Sequence, residues 1–375
     1  MGSAQAPADR AGQTRMSERH DTLRADVDRI AEFSDRIDVR SPAEFALDHV
    51  PGAVNHPVLD DTQRAQVGTL YVASPFAARR LGAAMVARNI AAMIDTAFAG
   101  KAREWRPLVY CWRGGQRSRA LAHVLNEIGW RAMQLDGGYR AYRRDVVTRL
   151  AALPRRLEFV VVGGLTGSGK SRLIAALDAA GAQVLDLERL ACHRGSLLGS
   201  VPGEPQPSQK AFESALLERL QGFDASRPVF VESESRRVGA LQLPDALLER
   251  MRTGRGVALQ TPHPLRVALL KQDYRHFIDD AGALERSLLP LTPLHGKAIL
   301  AHWAELAAAG DWDTLVAELL ARHYDPAYAR SLAMHYAPAR ADLQAEVDDI
   351  SAAGFAALAA QLAARFGAES LAALS

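Results

Sequence analysis

The stretch Tyr110–Ser118, "YCWRGGQRS", sets one of only two cysteines at the end of an apolar run and just ahead of two glycines and two arginines. In parallel α/β sheets, ligands gather beyond the carboxyl ends of the strands, and Cys111 falls at such an end. Gly114 and Gly115 permit a loop whose N–H groups turn toward one anion. The following helix points its positive end at the same spot, and Arg113 and Arg117 add formal charge. Such surroundings favour thiolate over thiol, so the loop reads as a nucleophile and an oxyanion cradle at once. The plainer alternative is that Cys111 is a small buried hydrophobe.

A second chemistry lies in "GLTGSGKS", Gly164–Ser171, which satisfies G-x4-G-K-[ST] between an apolar strand and a helix. Gly164, Gly167 and Gly169 shape the turn. Backbone N–H groups from Thr166 through Ser168 to Ser171 are expected to cradle phosphates, Lys170 to neutralise a terminal phosphate and Ser171 to hold Mg²⁺. Glu232, after "PVFV", stands where an acid approaches that metal. Asp186 and Glu188 close the strand between, to position an acceptor or the metal's water shell; alternatively Glu188 only supports a helix start. No direct protein cage for a metal is expected, and Cys192 with His193 reads as structural. The motif does not name the phosphate compound: a nucleotide such as ATP and another diphosphate fit the same cradle.

The elements that position these groups alternate. Strands are expected at Arg36–Arg40, Arg106–Trp112 and Ala132–Gly138. Helices are expected after Ser41-Pro42, over Pro75–Phe98, over Ser118–Ile128 and on to about Leu150. "PGAVNHP", Pro51–Pro57, reads as loop. Beyond Pro154-Arg155-Arg156, further strands are expected at Leu157–Gly164, Ala182–Glu188, Pro228–Glu234 and Gly256–Thr261. From Gly282 the chain looks almost entirely helical. The organisation expected is a polar tail over 1–22, one α/β domain over 23–150, a P-loop α/β domain over 151–281 and a helical region over 282–375.

Length and composition agree with two domains. The 375 residues are 48% hydrophobic with a net charge of +2, which excludes a strongly basic coat protein but not a local basic patch. Two cysteines give no disulfide framework, and no apolar run approaches a membrane span. A cytoplasmic location is expected. The basic patch is sought at Tyr139–Arg156, where Arg140, Arg143 and Arg144 share a helical face near Tyr139 and Tyr142, a pattern suited to RNA backbone and base stacking.

The words around the cysteine loop resemble the rhodanese (sulfurtransferase) family. "DVRSPAEFALDHVPGAVNHP" (Asp38–Pro57) is similar to the front of that domain and "DGGYRAYRRD" (Asp136–Asp145) to its close. The resemblance implies a chalcogen carried on Cys111 as a persulfide-type adduct, stabilised by Arg113 and the inward N–H groups. The pairing with a P-loop domain, together with "VGTLY" (Val67–Tyr71), "DLERLACHRGS" (Asp186–Ser196) and "HYDPAYARS" (His323–Ser331), resembles the tRNA 2-selenouridine synthase family. That resemblance implies a rhodanese-like domain followed by a P-loop NTPase-like domain. The substrate would be tRNA carrying wobble 2-thiouridine, with selenophosphate from a supply enzyme and geranyl diphosphate as co-substrates and S-geranyl-2-thiouridine as intermediate. Selenium would ride on Cys111 as an S-selanyl adduct, and the glycine-rich loop would hold the geranyl donor's diphosphate rather than ATP. The family pattern has an acid where Ser233 stands.

Two other classes share the motifs. C-x5-R is also the loop of cysteine phosphatases, with Asp60 or Asp61 available as general acid and a kinase-like P-loop domain attached. A non-enzymatic RNA-binding protein that senses nucleotide is the other. The first predicts phosphatase activity lost in Cys111→Ser; the second predicts that Cys111→Ser changes nothing.

Overall fold

The computed structural model describes residues 23–328 and 343–373. The tail over 1–22 and residues 329–331 of "HYDPAYARS" lie outside the described residues. The chain divides after Thr148 into two compact units.

In the first unit, β1 (Arg24–Ala25), β2 (Arg36–Asp38), β3 (Ala53–Asn55), β4 (Leu108–Tyr110) and β5 (Met133–Leu135) form one parallel sheet in the order β1-β5-β4-β2-β3. Helices α1 (Pro42–Leu47), α2 (Asp61–Ala73), α3 (Pro75–Asp95), α4 (Gln116–Ile128) and α5 (Gly138–Ala152) connect or follow the strands. The central strand β4 is apolar throughout because it is fully buried. Helix α1 starts as its sequence dictates: Pro42 at the first position, and Glu44 Oε2 accepting from Ser41 N at 3.2 Å. The left-handed Gly129 ends α4. The Pro51–Pro57 segment is not only loop, since Ala53–Asn55 pairs with β2 at the sheet edge.

The second unit holds β6 (Phe159–Gly164), β7 (Gln183–Leu185), β8 (Val229–Glu232), the antiparallel hairpin β9 (Arg237–Val238) and β10 (Leu241–Gln242), β11 (Arg255–Gln260) and β12 (Leu343–Glu346). Its main sheet is parallel, ordered β12-β11-β6-β8-β7. Helices α6 (Lys170–Ala179), α7 (Leu187–Ala191), α8 (Gln209–Gln221) and α9 (Asp245–Thr253) are interleaved with these strands. A helical stretch follows: α10 (His263–Asp273), α11 (Arg275–Asp279), α12 (Ala281–Leu288), α13 (Thr292–His295), α14 (Lys297–Ala308) and α15 (Trp312–Leu319), then a π-helical turn at Leu320–Tyr324.

The region from 282 onward is mainly helical, as expected, with one strand among its described residues. β12 pairs with β11, and the last helix, α16 (Ala352–Ala373), sends Phe355, Ala359, Leu362 and Phe366 into the same core as Val160, Val162 and Ile174. The period-2 alternation in "LQAEV", with Ala345 and Val347 buried, is the signal for that strand. Among the described residues no helix is long and apolar enough to cross a membrane.

Candidate functional site

The cysteine loop runs from the end of β4 into α4. Cys111 is buried, and its Sγ accepts from Gly115 N at 3.3 Å and from the Ser118 hydroxyl at 3.2 Å. Gln134, buried on β5, donates from Nε2 to Ser118 Oγ at 2.8 Å and to the carbonyls of Gly114 at 2.6 Å and Gly115 at 3.1 Å. That amide fixes the hydroxyl as an acceptor toward Gln134, and its hydrogen is shared between Cys111 Sγ at 3.2 Å and Gly115 O at 3.3 Å. Gly114 has φ +62° and Gly138 has φ +59°. A Cβ on Gly138 would stand 2.3 Å from both Cys111 O and Gly114 N. The "DGG" ahead of α5 is therefore the floor of the loop, and Tyr139 N donates to Cys111 O at 2.9 Å.

The arginines divide differently from expectation. Arg113 is exposed. Arg117 pairs with Glu44 at 2.8 Å and ties the loop to α1, so its charge is engaged by a carboxylate. Arg143 lies 3.8 Å from buried Asp48, while Arg140 and Arg144 are exposed, so the three do not present one face. Tyr139 and Tyr142 are buried rather than offered for stacking, and Tyr139 donates to Asp48 Oδ2 at 2.7 Å. Beneath them Arg40 is buried against Asp38 at 2.6 Å, with its guanidinium 3.9 Å from the centre of the Tyr139 ring. "DVR" is thus a buried brace. Asp60 and Asp61, the acids of the phosphatase reading, accept from Gln63 N and Ala43 N and serve as helix and loop caps.

In the second unit β6 ends at Gly164 and the glycine-rich turn follows, with Gly167 at φ +78° and Gly169 at φ +89°. A Cβ on Gly169 would meet the Phe355 ring at 2.4 Å, which makes α16 the backing of the cradle. Lys170 Nζ donates to Gly164 O at 2.9 Å and Leu165 O at 3.3 Å. The loop is held from outside by Arg266 on α10, which donates to Thr166 O at 2.9 Å and pairs with Asp325 at 2.6 Å. Tyr328 OH accepts from Gly164 N at 3.1 Å. The described part of "HYDPAYARS" is therefore cradle support, a role the spacing did not disclose.

Acids crowd the same site. Ser171 Oγ donates to Glu188 Oε2 at 2.5 Å, and Glu188 N donates to Glu232 Oε1 at 2.7 Å. Glu188 both opens α7 and reaches the cradle, so its two readings coexist. Burial, then the nearby Asp186 and Glu188, pushes the Glu232 carboxyl well up. Burial and Glu188 push Glu234 up to about 8, against the pull of Lys170. Glu188 and Asp186 are raised chiefly by burial. Glu234, one residue beyond Ser233, lines the cradle with Lys170, Arg194 and Ser171.

The side-chain oxygens Ser168 Oγ, Glu232 Oε2 and Ser233 Oγ are buried without a hydrogen-bond partner among the described residues. Orphaned oxygens and mutually raised carboxyls fit a cation bound with phosphate: Ser171 would hold Mg²⁺, with Glu232 and Glu188 on its water shell. Among the described residues no group of three or more His, Cys, Asp or Glu is arranged to hold a metal by itself. Cys192 caps α7 in the left-handed conformation, and His193 Nδ1 accepts from Gly195 N at 3.2 Å; both serve the turn. Beside the cradle, sharing Thr166, Leu270 and Tyr274 with it, lies a cavity walled by apolar side chains that include Phe277, Leu315 and Val316. The π-helical turn at Leu320–Tyr324 forms part of its wall, a distortion common at functional sites.

Comparison with known proteins follows the same division. Residues 23–145 match the rhodanese-like domain and residues 157–285 match the tRNA 2-selenouridine synthase AAA domain. A protein of Verminephrobacter eiseniae named tRNA 2-selenouridine synthase is 36% identical over 78% of this chain and 87% of its own length. Proteins of that name from Nitrosomonas europaea and Cupriavidus pinatubonensis are 36% and 39% identical, each over 64% of this chain. The chain spans 63% and 65% of the length of those two relatives.

Proposed function

The chain belongs to the tRNA 2-selenouridine synthase family, and on that premise we propose that it replaces sulfur by selenium in the wobble 2-thiouridine of tRNA, in the cytoplasm. The donor is selenophosphate, supplied by a separate enzyme, and the route passes through S-geranyl-2-thiouridine made from geranyl diphosphate. The observation that carries this reading is the pairing of a thiol held by a backbone N–H and a hydroxyl with a phosphate cradle that opens beside an apolar cavity.

The chemistry divides between the two sites. The C2–S group of 2-thiouridine leaves poorly, and alkylation corrects this. The sulfur attacks C1 of geranyl diphosphate, the C–O bond breaks with its electron pair to diphosphate, which departs, and the N3–H proton of the base is lost to water. Lys170, Arg194 and the turn's N–H groups would neutralise that charge, and the cavity's apolar lining matches the hydrocarbon chain in character, its roughly 60 Å³ having to widen to admit all ten carbons. A bound Mg²⁺ would supply further neutralisation of the leaving diphosphate. ATP fits the cradle, but the cavity beside it is lined mainly by apolar side chains, which favours a hydrocarbon over a base.

Selenium is at the −2 level in both selenophosphate and the product, so the second stage needs no oxidant. The Cys111 thiolate attacks phosphorus, the P–Se bond breaks with its electron pair to selenium, and hydrogenselenide is freed. Water then takes the phosphoryl group from sulfur as phosphate. Hydrogenselenide attacks C2 and geranyl thiol leaves with a proton. An S-selanyl adduct on Cys111, the rhodanese precedent, would instead leave phosphorus reduced to phosphite. With Arg117 engaged by Glu44, the backbone N–H groups of the loop would carry the oxygens of the phosphoryl group.

The test is nucleoside mass spectrometry of tRNA from cells lacking the protein, complemented by the parent or by Cys111→Ser. The parent should restore 2-selenouridine. Cys111→Ser should leave S-geranyl-2-thiouridine without 2-selenouridine. Restoration of neither by the parent would refute the reading.

A further inference from the structure

The first unit carries a groove that neither chemical step uses. It runs between the α2–α3 hairpin and α4, and takes in Arg24, Arg64, Arg79, Arg117 and Arg119 with a single acid, Glu127. Arg24 is paired with Asp136 and Arg117 with Glu44. Arg64, Arg79 and Arg119 are exposed and have no carboxylate at ion-pair distance among the described residues. At the hairpin tip Tyr71, Val72 and Phe76 are 48%, 89% and 78% exposed. Arg79 lies over the Tyr71 ring at 5.9 Å and donates to its hydroxyl at 3.4 Å. At its other side the groove takes in Gln116 and Arg117, the first residues of the helix that the cysteine loop feeds.

We propose that this groove seats the single-stranded loop of the RNA substrate, with Arg64, Arg79 and Arg119 on its phosphates and Tyr71 and Phe76 offering faces to its bases. The proposal rests on the tRNA reading above. Single-stranded RNA is held by basic channels interleaved with exposed aromatics, and the groove, with Tyr71 in its lining and Phe76 on the adjoining hairpin tip, shows this combination. The helix α5, where the sequence suggested such a patch, buries its tyrosines. A second copy of this chain is the other occupant an exposed apolar tip suggests. Arg64 is near enough to Glu44 to help lower its carboxyl, but self-association there would still crowd the exposed arginines of one copy toward those of the other, whereas RNA neutralises them. Placement in this groove brings the strand to the loop of Cys111.

The test is fluorescence anisotropy of a labelled anticodon stem-loop RNA carrying 2-thiouridine, titrated with the full chain across a range of salt. Arg64→Gln/Arg79→Gln/Arg119→Gln should weaken binding at least 10-fold at low salt. It should also flatten the log–log salt slope by about 2, at roughly 0.7 for each phosphate no longer neutralised. Tyr71→Ala/Phe76→Ala should weaken binding roughly 10-fold with the slope kept, as loss of stacking requires. Arg103→Gln, an exposed arginine away from the groove, should bind as the parent does, and all variants should melt with the parent.

Parent-like affinity and slope in the triple variant would overturn the groove while leaving the tRNA reading intact. So would loss confined to Arg140→Gln/Arg144→Gln. A Tyr71→Ala/Phe76→Ala protein that changes from dimer to monomer with RNA affinity unchanged would make the tip a self-association face. Failure of the parent itself to bind the stem-loop would sink the tRNA reading together with the groove.

Discussion

Ser118 Oγ lies 3.2 Å from Cys111 Sγ and is held there by Gln134 at 2.8 Å. Among the described residues the sulfur thus has two donors, this hydroxyl and Gly115 N, and no guanidinium among its hydrogen-bond partners. A hydrogen bond contributes about 0.5–1.5 kcal/mol net, and more as its acceptor takes charge. Ser118→Ala is expected to slow alkylation of Cys111 by iodoacetamide at neutral pH roughly 10-fold or more. Arg117→Gln, which breaks the tie to Glu44, should slow it less. Equal rates in Ser118→Ala and the parent would remove the hydroxyl from the account.

Gly138 is bound to its identity by space as well as by backbone angle. At φ +59° an L side chain costs roughly 1–2 kcal/mol, and the added Cβ would stand 2.3 Å from two backbone atoms of the cysteine loop. Gly138→Ala should therefore lower stability by at least about 2 kcal/mol in urea unfolding and disorganise the loop. Gly100→Ala meets nothing within 4 Å and should be close to neutral. Equal midpoints for the two would contradict the packing described.

The two motifs and the alternation of strand and helix were legible because each is local: a strand end, glycines that permit a turn, a helix start. What was not legible depends on which charged group finds which. Arg117 and Arg143 looked available for anions, but Glu44 and Asp48 reach them across long stretches of chain. Tyr139 and Tyr142 looked like stacking faces, but α5 turns them inward over Arg40. β12 was hidden in an alanine-rich context, although "LQAEV" carries its alternation. The roles of Arg266, Asp325 and Tyr328 arise only when α10 and the turn after α15 close on the glycine-rich loop.

The cradle and the cavity beside it can be separated by two ligands. Lys170→Ala should abolish binding of labelled geranyl diphosphate and of inorganic diphosphate alike, since both need the same charge. Val316→Trp narrows the apolar cavity without touching the cradle. Excluding two or three carbons of the chain costs about 2 kcal/mol at roughly 0.8 kcal/mol per buried methylene. Geranyl diphosphate should then bind roughly 30-fold more weakly, with inorganic diphosphate unchanged. Isothermal titration of both ligands checks this, and equal losses for the two would detach the cavity from the donor.

Glu234 gives the second unit a pH dependence whose sign follows from its surroundings. Burial, and then Glu188, raises its carboxyl from 4.5 to about 8. Between those values the folded chain keeps the proton and the unfolded chain has released it. Stability from this group is therefore complete below about pH 4.5, declines as pH rises and is gone above about pH 8. The whole effect is at most on the order of 5 kcal/mol. Glu234→Gln stays neutral at every pH and should unfold at a higher urea concentration than the parent at pH 8.5. At pH 4.5 the two should nearly coincide. Glu232, Glu188 and Asp186 are raised in the same direction, so the variant should retain part of the decline. Parallel stability curves for variant and parent from pH 4.5 to 8.5 would show that Glu234 ionises as an ordinary surface carboxylate and is not held neutral beside the cradle.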